Sequence, residues 1–174
     1  MPNKLEILTV QSSSIRTLCD VLKETLNDVN FIFNEEGMKV MAMDGSKVAL
    51  ISLKLYAERF EHYYCESKIC VGLNMSSFFK LMKTVTNTDT VCFFVDSENC
   101  HEFCIRIENA DKNSKTTFKL KMLDINEDEM KIPSLELDSV ITMPSNDFQR
   151  LCRDMLNISD SIEITACDNC LKLK

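Results

Sequence analysis

The chain has 174 residues, of which 45% are hydrophobic and 27% are charged, with only three glycines and three prolines. This length fits one ordinary domain or slightly more, and the composition excludes a disordered tail, a linker-rich protein and a fibrous protein. The formal net charge of −7 argues against nucleic-acid binding unless the basic residues are clustered. No apolar run approaches the ~18 residues of a membrane span, and no signal-peptide pattern stands at the start. We therefore expect a soluble, intracellular protein with no membrane partner.

The first part of the chain predicts a helix followed by strands. Apolar residues spaced i, i+3, i+4 and i+7 predict an amphipathic helix of about three turns. They are Ile15, Leu18, Cys19 and Leu22. Hydroxyl groups that can cap the first free backbone N–H groups stand at its start. They belong to Ser12, Ser13 and Ser14. Strands are predicted over 30–34, 38–43 and 48–56, the first two joined through Glu35-Glu36-Gly37.

The middle of the chain repeats this order. A second helix is predicted by the apolar stripe Phe78, Leu81, Met82 and Val85, with Ser76 and Ser77 as capping residues. Residues 91–95 and the alternating Phe103, Ile105 and Ile107 predict a hairpin. Residues 117–122 alternate apolar and polar side chains and predict a further strand.

The last part contains an acidic segment, a third helix and two short strands. Residues 124–138 hold six acidic side chains against one basic side chain, Lys131. Ser145 and a third apolar stripe predict the helix. The stripe consists of Phe148, Leu151, Cys152 and Met155. Strands over 162–165 and 171–173 predict a hairpin around Cys167-Asp168-Asn169-Cys170.

Strand runs interrupted by single helices predict an α+β fold with antiparallel sheets and with the helices gathered on one face. The three helices recur at intervals of roughly 65 residues, which indicates repeated half-domains. At about 100° per residue, Lys80 and Lys83 point away from the second apolar stripe, and Arg150 and Arg153 occupy the same places on the third helix. Arg16 and Lys23 lie on one flank of the first. Such pairs most often belong to a solvated face, but their recurrence favours contact with DNA phosphates.

The cysteines and histidines leave an enzymatic alternative open. Nine cysteines is an odd number, and most stand in apolar stretches, which predicts buried, reduced thiols. The Cys167/Cys170 pair is compatible with metal or redox chemistry, although no second Cys pair or His cluster stands at zinc spacing. His62 and His101 have no partner in a nucleophile-like context. We expect no cofactor, no metal and no enzymatic activity; the alternative is a Cys-dependent redox or metal-binding enzyme, revealed by a thiol of lowered pKa.

Three segments together resemble the eukaryotic-type DNA sliding clamps, the proliferating cell nuclear antigen family with its viral relatives. They are residues 41–48 (Met-Ala-Met-Asp-Gly-Ser-Lys-Val), residues 123–133 from Leu-Asp-Ile to Met-Lys-Ile-Pro, and residues 143–154 with Phe148-Gln149-Arg150-Leu151-Cys152-Arg153-Asp154. The likeness runs the length of the chain. It implies a ring with sheets outside and helices inside that encircles double-stranded DNA without reading its sequence. The implied DNA-facing residues are Arg16, Lys23, Lys80, Lys83, Arg150 and Arg153.

The resemblance also implies partners and a location. The family tethers DNA polymerase, the clamp loader and other clients that carry a short motif of a Gln and paired aromatics. The matching pocket positions here are Met43, Lys47, Met130, Ile132, Pro133 and Leu137, with departures from the family pattern at Lys47, Lys131 and Leu137. Met43 and Met130 are equally compatible with core filling. The location implied is the nucleus, or a cytoplasmic viral replication site.

The expected organisation is a first clamp domain over 1–122, an interdomain connector over 123–137 and the first half of a second domain over 138–174. Relative to the family pattern, the second domain stops after two strands, so we expect it to be incomplete. The family ring forms by strand addition, and a homotrimer is expected of the full-length protein. The subunit contact is expected at Lys115, Phe118 and Leu120. For the 174-residue chain alone, we expect a monomer or an irregular associate.

Overall fold

The computed structural model describes residues 3–126, 136, 139–167 and 170–174. It divides into two compact units, Met1–Met130 (unit 1) and Lys131–Lys174 (unit 2), each described by itself here. The elements of unit 1 are β1 (Asn3–Thr9), α1 (Ser12–Thr25), β2 (Asp28–Asn34), β3 (Gly37–Met43), β4 (Leu50–Tyr56), β5 (His62–Cys65), β6 (Ile69–Asn74), α2 (Met75–Met82), β7 (Thr90–Asp96), β8 (Glu102–Asn109) and β9 (Ser114–Lys121). A single 3-10 turn spans Ala57–Arg59.

The strands of unit 1 form two antiparallel sheets, and each sheet contains one strand, β1 or β6, from the other half of the unit. One sheet has the order β5-β1-β7-β8-β9 and the other β4-β3-β2-β6. The order strand, helix and three strands occurs twice, as β1 to β4 and as β6 to β9. In each case the strand before the helix pairs with the first strand after the helix of the other repeat: β1 with β7, and β6 with β2. The α+β prediction with antiparallel sheets is confirmed.

Both sheets and both helices of unit 1 share one core. Phe78 of α2 lies at its centre, with ring centroids 5.9 Å from Phe31 in one sheet and 6.1 Å and 6.2 Å from Phe93 and Phe103 in the other. Phe33 and Phe103 stack between the sheets at 6.2 Å. Edge-to-face and offset ring pairs each add about 0.5–1.5 kcal/mol beyond their buried area. This cluster fixes the orientation of α2, and with it the direction of the exposed face of α2.

The structure corrects the capping prediction. Gln11 precedes α1 and its side chain makes no capping bond, while the buried Ser12 hydroxyl donates to the Thr86 carbonyl instead. In α2 the cap is Asn74, whose side chain accepts from the Ser77 N–H at 3.0 Å. The residue before α3 (Ser145–Leu156) is Pro144, again without a side-chain cap. The serines lie one position too late, because an N-cap precedes the first helical residue.

Most of the remaining predictions hold, with shifted bounds. The three predicted helices are present, but α2 has eight residues rather than three turns, and Val85 lies beyond its end, buried in the core. Strands β1, β5 and β6 were not predicted. In unit 2, β10 (Ile164–Cys167) and β11 (Cys170–Leu173) form the predicted hairpin. No helix among the described residues is long and apolar enough to cross a membrane.

Candidate functional site

Helices α1 and α2 lie side by side and antiparallel in unit 1. The start of α1 meets the segment after α2, where Ser12 Oγ donates to the Thr86 carbonyl at 2.9 Å. The end of α1 meets the middle of α2, where Lys23 Nζ lies 4.5 Å from the ring centroid of Phe79. The outward faces of the two helices are therefore adjacent.

The two lysines of α2 are the uncompensated cations of this surface. The helix buries Met75, Phe78 and Met82, so Lys80 extends from the opposite, exposed face, and the exposed Lys83 is the C-cap residue that continues this face. Within the described part of the chain, neither lysine side chain forms an ion pair or hydrogen bond. Two unpaired ammonium groups one turn apart on a helix are suited to contact successive phosphates.

Arg16 on α1 is already engaged within the protein. Its guanidinium is half-buried, and Nη1 donates to the Val85 carbonyl at 2.9 Å while Nη2 donates to Asn87 Oδ1 at 3.2 Å. Arg16 thereby ties α1 to the segment after α2. Its first role in this structure is to hold the helix pair together.

Lys23 on α1 is compensated by acidic neighbours. Its ammonium group pairs with Glu24 and lies 3.1 Å from Asp20 Oδ1. The hydrogen bond to Glu24, and then that to Asp20, raises the pKa of Lys23. Because one cation faces two carboxylates, the local charge is negative, and Lys23 offers less to a phosphate than Lys80 or Lys83 does.

In unit 2, the basic pair of α3 is exposed as predicted for a polar helix face. Arg150 Nη2 lies 3.5 Å from Asp147 Oδ1, one turn earlier. The exposed Arg153 forms no ion pair with any described residue. The two arginines remain candidates for phosphate contact, and Arg153 is the less compensated of the two.

The candidate partner surface begins at Met43, where β3 ends. Met43 is 40% exposed and pairs across the hairpin with Leu50, which is 41% exposed, while the neighbouring Val48 is 85% exposed. We call Met43, Val48 and Leu50 the apolar patch. Val48 and Leu50 were not predicted to belong to this surface. The run 48–56 predicts a strand, but a strand pattern does not show whether other elements cover its side chains. Of the other predicted positions, Met130, Ile132, Pro133 and Leu137 lie outside the described residues.

The loop that carries Val48 is held by Asp44. Oδ1 of Asp44 accepts hydrogen bonds from the backbone N–H groups of Val48 and Ala49, both at 2.8 Å, and the Ser46 hydroxyl also donates to this carboxylate. The Ser46 hydroxyl, followed by the Ala49 N–H, lowers the pKa of Asp44 to about 2. Lys47 has a positive φ of 59° and is exposed. A carboxylate thus fixes a tight turn and presents Val48 and Lys47 to solvent.

The start of the predicted connector is attached to unit 1. The Leu123 N–H donates to the Gly72 carbonyl at 2.8 Å, and Asn30 Nδ2 donates to the Ile125 carbonyl at 3.0 Å. A Cβ atom at Gly72 would lie 2.2 Å from the Leu123 carbonyl oxygen, so only glycine allows this approach. Residues 123–125 therefore run along the β6 edge of the four-stranded sheet.

The predicted subunit contact lies on β9, an edge strand of the five-stranded sheet. Phe118 and Leu120 are half-buried, opposite Ile105 and Phe103 of β8, and pack against the core. Lys115 forms an ion pair with Glu108 at 2.9 Å. A pocket of about 250 Å³ adjoins the strand, lined in part by Phe118, Thr116 and Asp89. Edge strands offer unpaired backbone groups to a further strand.

Four of the cysteine thiols are shifted away from nucleophilic reactivity. Burial raises the pKa of Cys19 to about 12, and it also raises the pKa of Cys65, Cys92 and Cys104. A nucleophilic cysteine needs the opposite shift. His62 and His101 are exposed, and the described residues contain no group of three or more side chains that could hold a metal ion.

Two family models match the chain. The model described as "Proliferating cell nuclear antigen, N-terminal domain" matches residues 4–130, and "Proliferating cell nuclear antigen, C-terminal domain" matches residues 131–174. Their meeting point coincides with the division between the two compact units.

Curated relatives agree with the family models. "Probable DNA polymerase sliding clamp 1" of Paramecium bursaria Chlorella virus 1 is 40% identical over 158 residues, 91% of this chain and 60% of the relative. "Proliferating cell nuclear antigen" of Chaetomium thermophilum is 33% identical over 163 residues (93% and 62%), and that of Saccharomyces cerevisiae 32% over 160 residues (92% and 62%). The chain spans about three fifths of the length of these relatives.

Proposed function

Because the chain belongs to the proliferating cell nuclear antigen family, we propose that the protein is a DNA sliding clamp, a polymerase processivity factor without catalytic activity of its own. In this proposal the full-length protein encircles duplex DNA as a homotrimeric ring and contacts phosphates without reading sequence. It acts in the nucleus or at a cytoplasmic viral replication site. Because a closed ring stays on DNA without binding it tightly, an acidic protein with a few exposed cations can act as a clamp.

The observation that carries the DNA proposal is the uncompensated pair Lys80 and Lys83. The chain has a formal net charge of −7, yet α2 exposes two ammonium groups without acidic partners among the described residues. Arg153 on α3 supports the same role, whereas Arg16 and Lys23 contribute less because they already have intramolecular partners.

The salt dependence of DNA binding tests this proposal. Replacing Lys80 and Lys83 by Ala should reduce the slope of log affinity against log salt by about 0.9 for each phosphate that the variant no longer neutralises. The matched control is Lys39→Ala with Lys54→Ala, a cross-strand pair on β3 and β4 with the same change of charge. An unchanged slope in the first variant, or an equal reduction in both, would contradict the assignment.

The second part of the proposal concerns clients. The apolar patch of Met43, Val48 and Leu50 would receive the aromatic side chains of a short Gln-containing motif from a polymerase, clamp loader or other client. Exposed apolar side chains on a loop fixed by Asp44 suit this role, because they provide apolar area at little ordering cost. Met130, Ile132, Pro133 and Leu137 would complete the pocket, and β9 would add to a strand of the next subunit.

A further inference from the structure

Two cysteines lie directly opposite each other at the end of the β10–β11 hairpin. The register pairs Cys167 with Cys170, and both residues are exposed. The other seven cysteines stand opposite non-cysteine residues or lie outside the paired strands, as in Leu5 opposite Cys65 and Phe94 opposite Cys104. The hairpin thus brings together two accessible thiols that the proposed clamp function does not use.

The hydrogen-bond pattern of the hairpin fixes the spacing of this pair. Glu163 and Lys174 exchange both backbone hydrogen bonds, at 2.9 Å and 3.0 Å. In an antiparallel ladder hydrogen-bonded and non-hydrogen-bonded pairs alternate, and Cys167–Cys170 is four steps further along. It is therefore a hydrogen-bonded pair, with Cα atoms about 5.5 Å apart. Disulfides have Cα separations of about 4.4–6.8 Å, most often 5.5–6 Å.

The side chains of such a pair project on the same side of the hairpin. Directly opposite residues have Cβ atoms roughly 4.5–5.5 Å apart, and a hydrogen-bonded pair lies towards the longer end of this range, about 1 Å beyond the roughly 3.5–4.5 Å found in disulfides. To form the bond, the two Cβ atoms have to move closer together by this distance. The pair lies at the end of the ladder, where fewer neighbouring residue pairs oppose such a movement. A bond on an exposed surface is accessible to thiol reductants.

We propose that Cys167 and Cys170 are a modification site, a dithiol that hydrogen peroxide or a related hydroperoxide converts reversibly into an intrahairpin disulfide. One thiolate attacks a peroxide oxygen and the O–O bond breaks, which gives a sulfenic acid and a hydroxide ion, or an alkoxide ion from an organic hydroperoxide; the released ion takes a proton from solvent and leaves as water or an alcohol. The second thiolate attacks the sulfenic sulfur, the S–S bond forms, the S–O bond breaks, and the departing hydroxide takes a proton from solvent and leaves as water. The two sulfur atoms lose two electrons, which the peroxide gains, and a thiol reductant reverses the change.

Mass spectrometry of the whole chain tests the proposal. After mild peroxide treatment the intact mass should fall by about 2 Da, and alkylation in denaturant should label two thiols fewer than the nine of the reduced chain. Peptide mapping should place the bond between Cys167 and Cys170, and a dithiol reductant should restore the original mass. A bond between chains, a bond at other cysteines, or a gain of oxygen at these two residues without a bond would overturn the proposal.

Two comparisons show whether the hairpin itself is responsible. Cys167→Ser should abolish the 2 Da loss, whereas Cys70→Ser, which removes another exposed strand cysteine, should not. In a glutathione redox buffer, the equilibrium constant for forming the bond should be about tenfold larger in the native chain than in urea, because the ladder holds the two thiols in register. Equal constants would mean that the sequence spacing alone forms the bond, and would overturn the structural argument.

Discussion

Arg16 Nη1 donates to the carbonyl of Val85 at 2.9 Å. A basic residue of α1 therefore holds the segment that follows α2 in place, although α1 is a helix proposed to face DNA. Val85 is 2% exposed, and its carbonyl belongs to a backbone turn that also contacts Ser12 through Thr86. The same kind of side chain thus has different roles on the two helices: Arg16 connects them, and Lys80 and Lys83 remain available.

We expect Arg16→Ala to lower the free energy of unfolding by about 1–2 kcal/mol, because the variant has no charged hydrogen bond to the backbone carbonyl. Lys80→Ala, which removes an exposed and unpaired charge, should change it by less than about 0.5 kcal/mol. Urea denaturation of both variants measures the difference. Equal stabilities would show that Arg16 does not hold the helix pair together.

Gly72 determines whether the connector can follow the edge of β6. Gly72→Ala places a Cβ atom 2.2 Å from the Leu123 carbonyl oxygen, and we expect a loss of about 1–3 kcal/mol together with faster hydrogen exchange at the Leu123 amide. Gly45→Ala is the control, because a Cβ atom there has no neighbour within 4 Å. Unchanged exchange at Leu123 in the Gly72 variant would refute the close approach.

The apolar patch should decide the affinity for a client peptide with a Gln and paired aromatics. Val48→Asp puts a charge where an apolar side chain is to be buried, and we expect binding to weaken at least about tenfold, or 1.4 kcal/mol, by calorimetry. The control is Val21→Asp on α1, where a valine is 59% exposed outside the patch. If both variants lose the same affinity, the patch is not the client site.

The turn that Asp44 holds, which carries Val48 of the apolar patch, should persist in acid. The hydrogen bonds from Ser46 and Ala49 lower the pKa of Asp44 from 3.8 to about 2. Since the pKa is lower in the folded state, the carboxylate contributes stability above about pH 4, and this contribution is lost as the pH falls towards 2. NMR titration of the Asp44 carboxyl carbon should give a midpoint near 2.

Ser46→Ala removes the hydroxyl that has the largest effect on this carboxylate. The midpoint for Asp44 should then rise towards its ordinary value of 3.8. A midpoint that is the same in both proteins would show that the Ser46 hydroxyl does not stabilise the carboxylate.

Much of the fold was open to prediction because it depends on local patterns. The stripe containing Leu18 and Leu22 and the alternation of Phe103 with Ile105 each have one period, and that period selects helix or strand. Strands β1 and β6 were missed, and so was the exchange that pairs them with the opposite repeat. Pairing across such distances depends on which apolar faces meet in the core around Phe78, and no local window contains that information.

The candidate site divides in the same way. The sequence by itself determined the helical spacing that puts Lys80 and Lys83 opposite Phe78, the acidic composition and the family motifs, since each depends on the order of residues alone. The pairs Lys23–Asp20 and Cys167–Cys170 are local and depend on helical spacing and hairpin register. Only the tertiary structure decided that Arg16 is engaged by the Val85 carbonyl and that Val48 is exposed. The contacts of Arg16 and the exposure of Val48 both depend on which parts of the chain distant in sequence come together, and folding alone establishes those contacts.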